Sequence, residues 1–258
     1  MLKHLRIAIL VYILLFVAVG HYITARASKD WDVPLWVDIY PVGGDDQFAT
    51  REYLDKLTPA EFTGIETFFA EQAQRYGVAL EQPFRLNLRT RIDGELPQPP
   101  ATRSFFGTIV WSLQMRWRAA TLQWQSSERS ADIVVFAVFH DAAASPMLDR
   151  STALQKGLIA VVNVFANRTA RGSNQVVLAH ELLHTLGATD KYEPGSNAPR
   201  FPEGFAAPNA TPLYPQSAAE LMAGRIAIDE HKAQIPASLA QVVVGTETAA
   251  EIGWMRNE

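Results

Sequence analysis

His180-Glu181-Leu182-Leu183-His184-Thr185-Leu186-Gly187-Ala188-Thr189-Asp190 decides how the rest of the chain is read. His180 and His184 stand four apart, so on a helix they leave the same face one turn above the other. That spacing lets two imidazoles reach a single zinc ion at about 2.0–2.1 Å each. Glu181 follows His180 directly, where a carboxylate can act on a metal's water without binding the metal. Gly187 can take a positive φ, which ends the helix and turns the chain back. Asp190 falls just past that turn, in place to offer a third ligand oxygen. Three ligands leave one coordination position open, which separates a catalytic zinc from a structural one.

The flanking residues predict a buried helix. Val176, Val177, Leu178, Leu182, Leu183 and Leu186 surround the polar positions with apolar side chains, and Ser173 is the expected N-cap. Histidines on a solvated amphipathic helix are the plain alternative. Two histidines and a glutamate carried into a core need partners, and a metal ion supplies them. His-Glu-x-x-His alone recurs by accident in many helices. Matching all five positions by chance is roughly a one-in-ten-thousand event for a chain this long, so the extended pattern carries the reading.

This pattern resembles that of the metzincin zinc peptidases, His-Glu-x-x-His-x-x-Gly-x-x-His/Asp. Within them it is similar to the small secreted bacterial group typified by snapalysin, whose third ligand is Asp. Ala219-Glu220-Leu221-Met222-Ala223-Gly224 resembles the Met-turn of that group, and Asp190-Lys191-Tyr192 is similar to its Asp-x-Tyr. The resemblance implies an α+β, zincin-like fold: a mixed β-sheet flanked by helices, with an active-site helix and a Met-turn whose methionine, here Met222, lies beneath the metal. It implies one Zn2+ per chain held by His180, His184 and Asp190. Glu181 is then the general base and Tyr192 a donor to the oxyanion, in an endopeptidase acting on a peptide or protein substrate. It also implies that the strand before the active-site helix, Leu158–Phe165, is a sheet edge that pairs with extended substrate. The chain departs from the group in its length, its lack of cysteine and a long insertion, residues 193–218. Should that insertion fold back differently, Glu220 or Glu203 replaces Asp190 as third ligand.

Composition narrows the classes. A chain of 258 residues, 48% hydrophobic, suits one catalytic domain, residues 28–258, after an N-terminal segment, residues 1–27. A net charge of −4 argues against a nucleic-acid binder driven by phosphate contacts. With no cysteine there is no disulfide, thiolate metal site, cysteine nucleophile or acylated lipoprotein anchor. Lys3 and Arg6 precede an apolar run from Ile7 to Gly20 that continues weakly to Ile23. A secretory signal and a membrane anchor both fit: Ala18-Val19-Gly20 and Ala25-Arg26-Ala27 offer cleavage patterns, and Ile7–Ile23 sits at the short limit for a bilayer span. Either way the leading positive charge directs the domain outward, to the cell envelope, periplasmic or secreted, held at the inner membrane by residues 7–23 if uncut.

Along the chain, strands are expected over Pro34–Val42 and Phe84–Ile92, where apolar residues alternate, and over the apolar runs Ile133–Phe139 and Leu158–Phe165. Thr58-Pro59-Ala60-Glu61 reads as a capping box opening a helix to Tyr76. Ser104–Gln125 is a second helix whose stripe of Phe106, Val110, Leu113, Trp117, Ala120 and Trp124 is expected to face the core. The alternative is a partner or membrane surface, with Arg103, Arg116 and Arg118 beside the tryptophans. Glu193–Gln216, rich in proline, is expected to be an irregular loop, and Thr246–Trp254 a closing helix capped by Thr246. His140 and His231 are read as structural or surface residues. Three rivals to the peptidase reading stand. One is a catalytically silent protein of the same fold that binds or assembles in the envelope. Another is a hydrolase similar to a bacterial endoribonuclease family with His-x-x-x-His-x-x-Gly-x-Asp-His, whose third histidine is absent here. The last is a membrane-anchored interaction protein built on the Trp-rich helix.

Overall fold

Alternating and continuous apolar runs place five strands side by side. The computed structural model describes residues 28–100, 104–127 and 129–255. The expected N-terminal signal or anchor lies outside the described residues, and among those described no helix is long and apolar enough to cross a membrane. In order come β1 (Leu35–Gly43), α1 (Phe48–Asp55), α2 (Thr63–Arg75), β2 (Phe84–Leu88), α3 (Phe105–Gln125), β3 (Ile133–His140), β4 (Thr152–Leu154), β5 (Ile159–Phe165) and α4 (Arg171–Thr185). After a long irregular stretch follow the two-residue strands β6 (Ala219–Glu220), β7 (Ile226–Ala227), β8 (Ala233–Gln234) and β9 (Val242–Val243), then α5 (Thr246–Glu251). The chain is therefore α+β, with a five-stranded mixed sheet ordered β2-β1-β3-β5-β4.

β2, β1, β3 and β5 run parallel, in a register that sets Val37 beside Leu86, Ile39 beside Val135, and Ala137 beside Val162. Parallel strands are joined by crossovers that cover both faces, so their sequences are apolar on both sides. On one face Val37, Ile39, Val135, Ala137 and Val162 pack against α2 and α4, through Phe69, Leu178 and Leu183 among others. On the other, Tyr40, Val42, Val134, Phe136 and Ile159 are covered by α3. Asp38 is buried within β1, where Arg89 neutralises it at 2.8 Å.

β4 overturns one expectation. Leu158–Phe165 is not a sheet edge, because β5 is paired on both sides: parallel to β3, and antiparallel to β4 through Ala153 and Ala160. The edge is the three-residue β4, the one antiparallel strand of this sheet.

The helix over Ser104–Gln125 forms, with Ser104 accepting from the Gly107 N–H as its cap, but it is turned over. Its buried residues are Trp111, Met115 and Ala119, whereas Phe106, Val110, Leu113, Trp117 and Trp124 are exposed. The physical reason is that α3 is apolar on two faces. The face of Trp111, Met115 and Ala119 lies against the sheet, with the Trp111 indole N–H satisfied by the Pro97 carbonyl at 2.8 Å.

Three expected caps also fail. Pro59–Glu61 is a separate 3-10 turn ahead of α2, and the Thr58 side chain caps nothing. Glu61 instead pairs with Arg171 at 3.2 Å, at the first turn of α4. Ser173 lies inside α4, because a 3-10 turn over Arg168–Ala170, capped by Asn167 on the Thr169 N–H, starts the spiral earlier. α5 stops at Glu251 with Gly245 as its N-cap, so Thr246 is the first helical residue.

Candidate metal centre

α4 carries His180 and His184 inward and then stops on a specific device. Ala188 N–H bonds the Leu183 carbonyl at 3.1 Å and Gly187 N–H the His184 carbonyl at 3.0 Å, with Gly187 at φ +91°. This is a Schellman ending, with Leu183 and Ala188 both buried as the motif prefers. The positive φ is what requires glycine here; a Cβ would meet the flexible ends of Gln155 and Lys29, which can shift. The turn then serves the site directly: the Ala188 carbonyl lies 2.7 Å from His184 Nδ1. His180 Nδ1 is held in the same way by the Leu221 carbonyl at 2.9 Å.

A carbonyl only accepts, so each Nδ1 is the protonated nitrogen and each Nε2 presents a lone pair. The two Nε2 atoms face each other at 3.0 Å. Asp190 Oδ1 joins them at 3.3 Å from His180 Nε2 and 3.1 Å from His184 Nε2. Three acceptors thus converge on one point, and Asp190 Oδ1 is buried with no hydrogen-bond donor. A metal ion, or a proton on one of the imidazoles, satisfies such an arrangement. Tetrahedral bonds of about 2.0–2.1 Å separate ligand atoms by about 3.3–3.4 Å, close to the spacings seen here, and two imidazoles with a carboxylate can hold a divalent metal ion. The residues fit the ion.

The charges agree. Burial alone would lower the His180 pKa, but Asp190, Glu181 and the Leu221 carbonyl outweigh it and hold His180 above its ordinary value. Burial pushes the Asp190 carboxyl up, yet the His180 and His184 rings facing it favour its charged form and keep it well below the usual carboxylate range. Glu181 is buried beside the pair, and among the described residues His180, Glu181 and His184 form a group able to hold a metal ion, with ligand atoms within 4.8 Å of one another. Burial pushes the Glu181 carboxyl up, only partly offset by the two histidines.

The segment carrying Asp190 is clamped on both sides. Glu251 accepts from Thr189 N at 2.9 Å, from Thr189 Oγ1 at 2.6 Å and from Lys191 Nζ at 2.7 Å. Lys191 N donates to the Met222 carbonyl at 3.0 Å. Residues 221 and 222 therefore touch both segments: Leu221 orients His180 and Met222 holds the chain next to Asp190. Met222 itself is fully buried.

Glu220 and Glu203, the alternative third ligands, are placed elsewhere. Glu220 is buried under this turn, accepting from Ala223 N, Gly245 N and Thr248 Oγ1 at 2.9, 3.1 and 2.7 Å. Glu203 lies beside Arg200 in the insertion, at 3.9 Å. The insertion is irregular as expected, touching other segments through single bridges such as Tyr192 with Pro199 and Phe205 with Ala219.

A cleft of about 660 Å³ opens over the centre, lined by His180, Glu181, His184, Asp190, Tyr192 and Arg150. Thr152 and Ala153 of the edge strand form one wall. The Tyr192 hydroxyl is 3.4 Å from Arg150 Nη2, and burial raises its pKa. His140 stays out of this cleft, bonded to Asn163 at 2.9 Å, and His231 is exposed in a turn. Arg150, Glu251 and the two orienting carbonyls are parts of the site that sequence reasoning does not find. Arg150 sits in an irregular stretch with no period, and Glu251 is 62 residues from Thr189. No protein-family model matches the chain, and a search of curated proteins finds no relative.

Proposed function

We propose that the chain is a zinc-dependent endopeptidase of metzincin type, acting outside the cytoplasm. The observation that carries this reading is the convergence of His180 Nε2, His184 Nε2 and Asp190 Oδ1 at 3.0–3.3 Å beneath an open cleft, with a buried glutamate beside them. His180, His184 and Asp190 would hold the ion, which when bound supplies a lowered pKa for water and polarisation of a carbonyl. Glu181, whose carboxyl is pushed up by burial, takes the proton of the attacking water and returns it to the leaving amine. Tyr192 donates its hydroxyl proton to the oxygen that gains charge, and Arg150 steadies the phenol. β4 leaves one edge unpaired beside the cleft, where an extended peptide adds as a further strand. Main-chain bonding of this kind reads backbone rather than side chains, which favours broad sequence tolerance.

Elemental analysis of the full chain, wild type beside His184→Ala, followed by incubation with casein, tests this. One zinc per chain and casein cleavage, both lost in the variant, is the expected result. Zinc bound without cleavage leaves the silent envelope-binding reading; no zinc in the wild type removes both.

A further inference from the structure

We propose that the outer face of α3 seats on the surface of a phospholipid bilayer. Phe105, Phe106, Val110, Leu113, Trp117 and Trp124 stand out from the domain, with Phe106 77%, Trp117 76% and Trp124 90% exposed. Steps of three and four residues keep Phe106, Val110, Leu113, Trp117 and Trp124 on one side of the helix, opposite Trp111, Met115 and Ala119. Single apolar side chains on a surface are ordinary, but a contiguous row of this size marks a surface that meets something apolar. α3 contains no Asp or Glu, and its only charges, Arg116 and Arg118, lie to either side of the row. Aromatic residues on the apolar face with arginines on its borders suit a helix lying at the boundary between headgroups and acyl chains.

The tether bounds the distance to a bilayer without choosing the face, since Lys29 donates to the Glu251 carbonyl and Trp31 packs in the core on the α4 side of the sheet. Only Thr24–Ala27 separate the apolar run ending at Ile23 from Ser28, the first described residue. At 3.3–3.6 Å per residue, the five steps from Ile23 to Ser28 reach at most about 18 Å. With that run in a bilayer, the domain is held against the surface and must turn some face toward it. Trp36, at the start of β1, bonds Asp132 through both its N–H and its carbonyl, while Gln123 reaches the Ala131 carbonyl. The start of β1 and the Trp124 end of α3 therefore share one end of the sheet. Arg85 and Arg129 lie over the Trp36 ring there, at 5.7 and 5.2 Å, and add positive charge suited to phosphate headgroups. α4 packs on the opposite face of the sheet, so docking keeps the candidate metal centre on the side away from the lipid. Neither the row nor the tether includes a residue of that centre, so docking stands or falls separately from catalysis.

The chain has no cysteine, so one introduced cysteine gives one nitroxide label. Full chains carrying Val110→Cys, Leu113→Cys or Trp117→Cys, with Glu71→Cys on α2 as control, are labelled and placed in nanodiscs of phosphatidylglycerol and phosphatidylcholine. Relaxation by oxygen relative to an aqueous nickel chelate should be several-fold higher at the three α3 positions than at residue 71. Adding Phe106→Ser and Trp124→Ser to Val110→Cys should bring its ratio down toward the control, with the circular dichroism of the folded protein unchanged. Three results overturn docking: nickel access at the α3 positions equal to the control; shielding from both reagents, which means that protein covers the row; or spin–spin broadening between copies, which means a dimer.

Discussion

Replacing Glu251 with alanine should loosen the metal site from a distance. The carboxylate receives the Thr189 N–H, the Thr189 hydroxyl and the Lys191 ammonium, which flank Asp190 on both sides. Lys191 is 2% exposed, so the variant strands a buried charge, an error that typically costs about 3–5 kcal/mol. Lys191 keeps Thr189 Oγ1 as an acceptor at 2.7 Å, which puts the loss near the lower end, about 3 kcal/mol. In a chain of this size that lowers Tm by roughly 6–12 °C. Groups that orient a ligand are typically worth 10–100-fold in metal affinity, so the zinc Kd, read by competition with a chelating dye, should rise about 10–100-fold. Adding Lys191→Met removes the stranded charge and should restore most of the stability, yet not the affinity, because the Thr189 N–H remains unheld. The pH dependence has a definite sign. Burial pushes the Glu251 carboxyl up, but Lys191 and Thr189 outweigh it and hold it below 4.5. Its stabilisation is therefore full above pH 4.5 and lost as pH falls through the lower folded value, so variant and wild type should converge in acid. A Glu251→Ala protein that binds zinc with wild-type affinity at pH 7 would refute the clamp.

Further outcomes follow from the same geometry. Glu181→Gln should keep zinc at one per chain and reduce casein turnover by about 10²–10⁴-fold, the usual worth of a positioned base; unchanged turnover would remove Glu181 from the chemistry. Tyr192→Phe should lower kcat about 10²-fold with KM little changed, as expected for a donor that acts on developing charge, and a change confined to KM would contradict that role. Leu183→Ala, at a fully buried position between α4 and the sheet, should cost about 2–5 kcal/mol in urea unfolding. A loss under 1 kcal/mol there would mean that α4 is not packed as described.

The convergence of His180, His184 and Asp190 was legible because it is local. His180, His184, Gly187 and Asp190 fall within one helix and its stop, so spacing along the chain predicts spacing in the fold. The long strands were legible for the same reason, since period and composition are properties of short windows. What the sequence hid is non-local or ambiguous. α1 buries only Thr50 and Leu54 and exposes Phe48, so it has no apolar stripe to notice. β4 has three residues, too few to show alternation, and its place at the edge depends on pairing with β5. α3 offers two apolar faces, and nothing in its period says which fits the sheet. Thr58-x-x-Glu61 has the letters of a capping box, but the glutamate is drawn to Arg171, a residue far along the chain.

Zinc-edge X-ray absorption on the zinc-loaded full chain is the most direct measurement of the claim that three acceptors converge on one ion. The account predicts a shell of nitrogen and oxygen ligands at about 2.0–2.1 Å with the scattering pattern of two imidazoles, reduced by one imidazole in His184→Ala. A first shell without imidazole, or a spectrum that His184→Ala leaves unchanged, would contradict it.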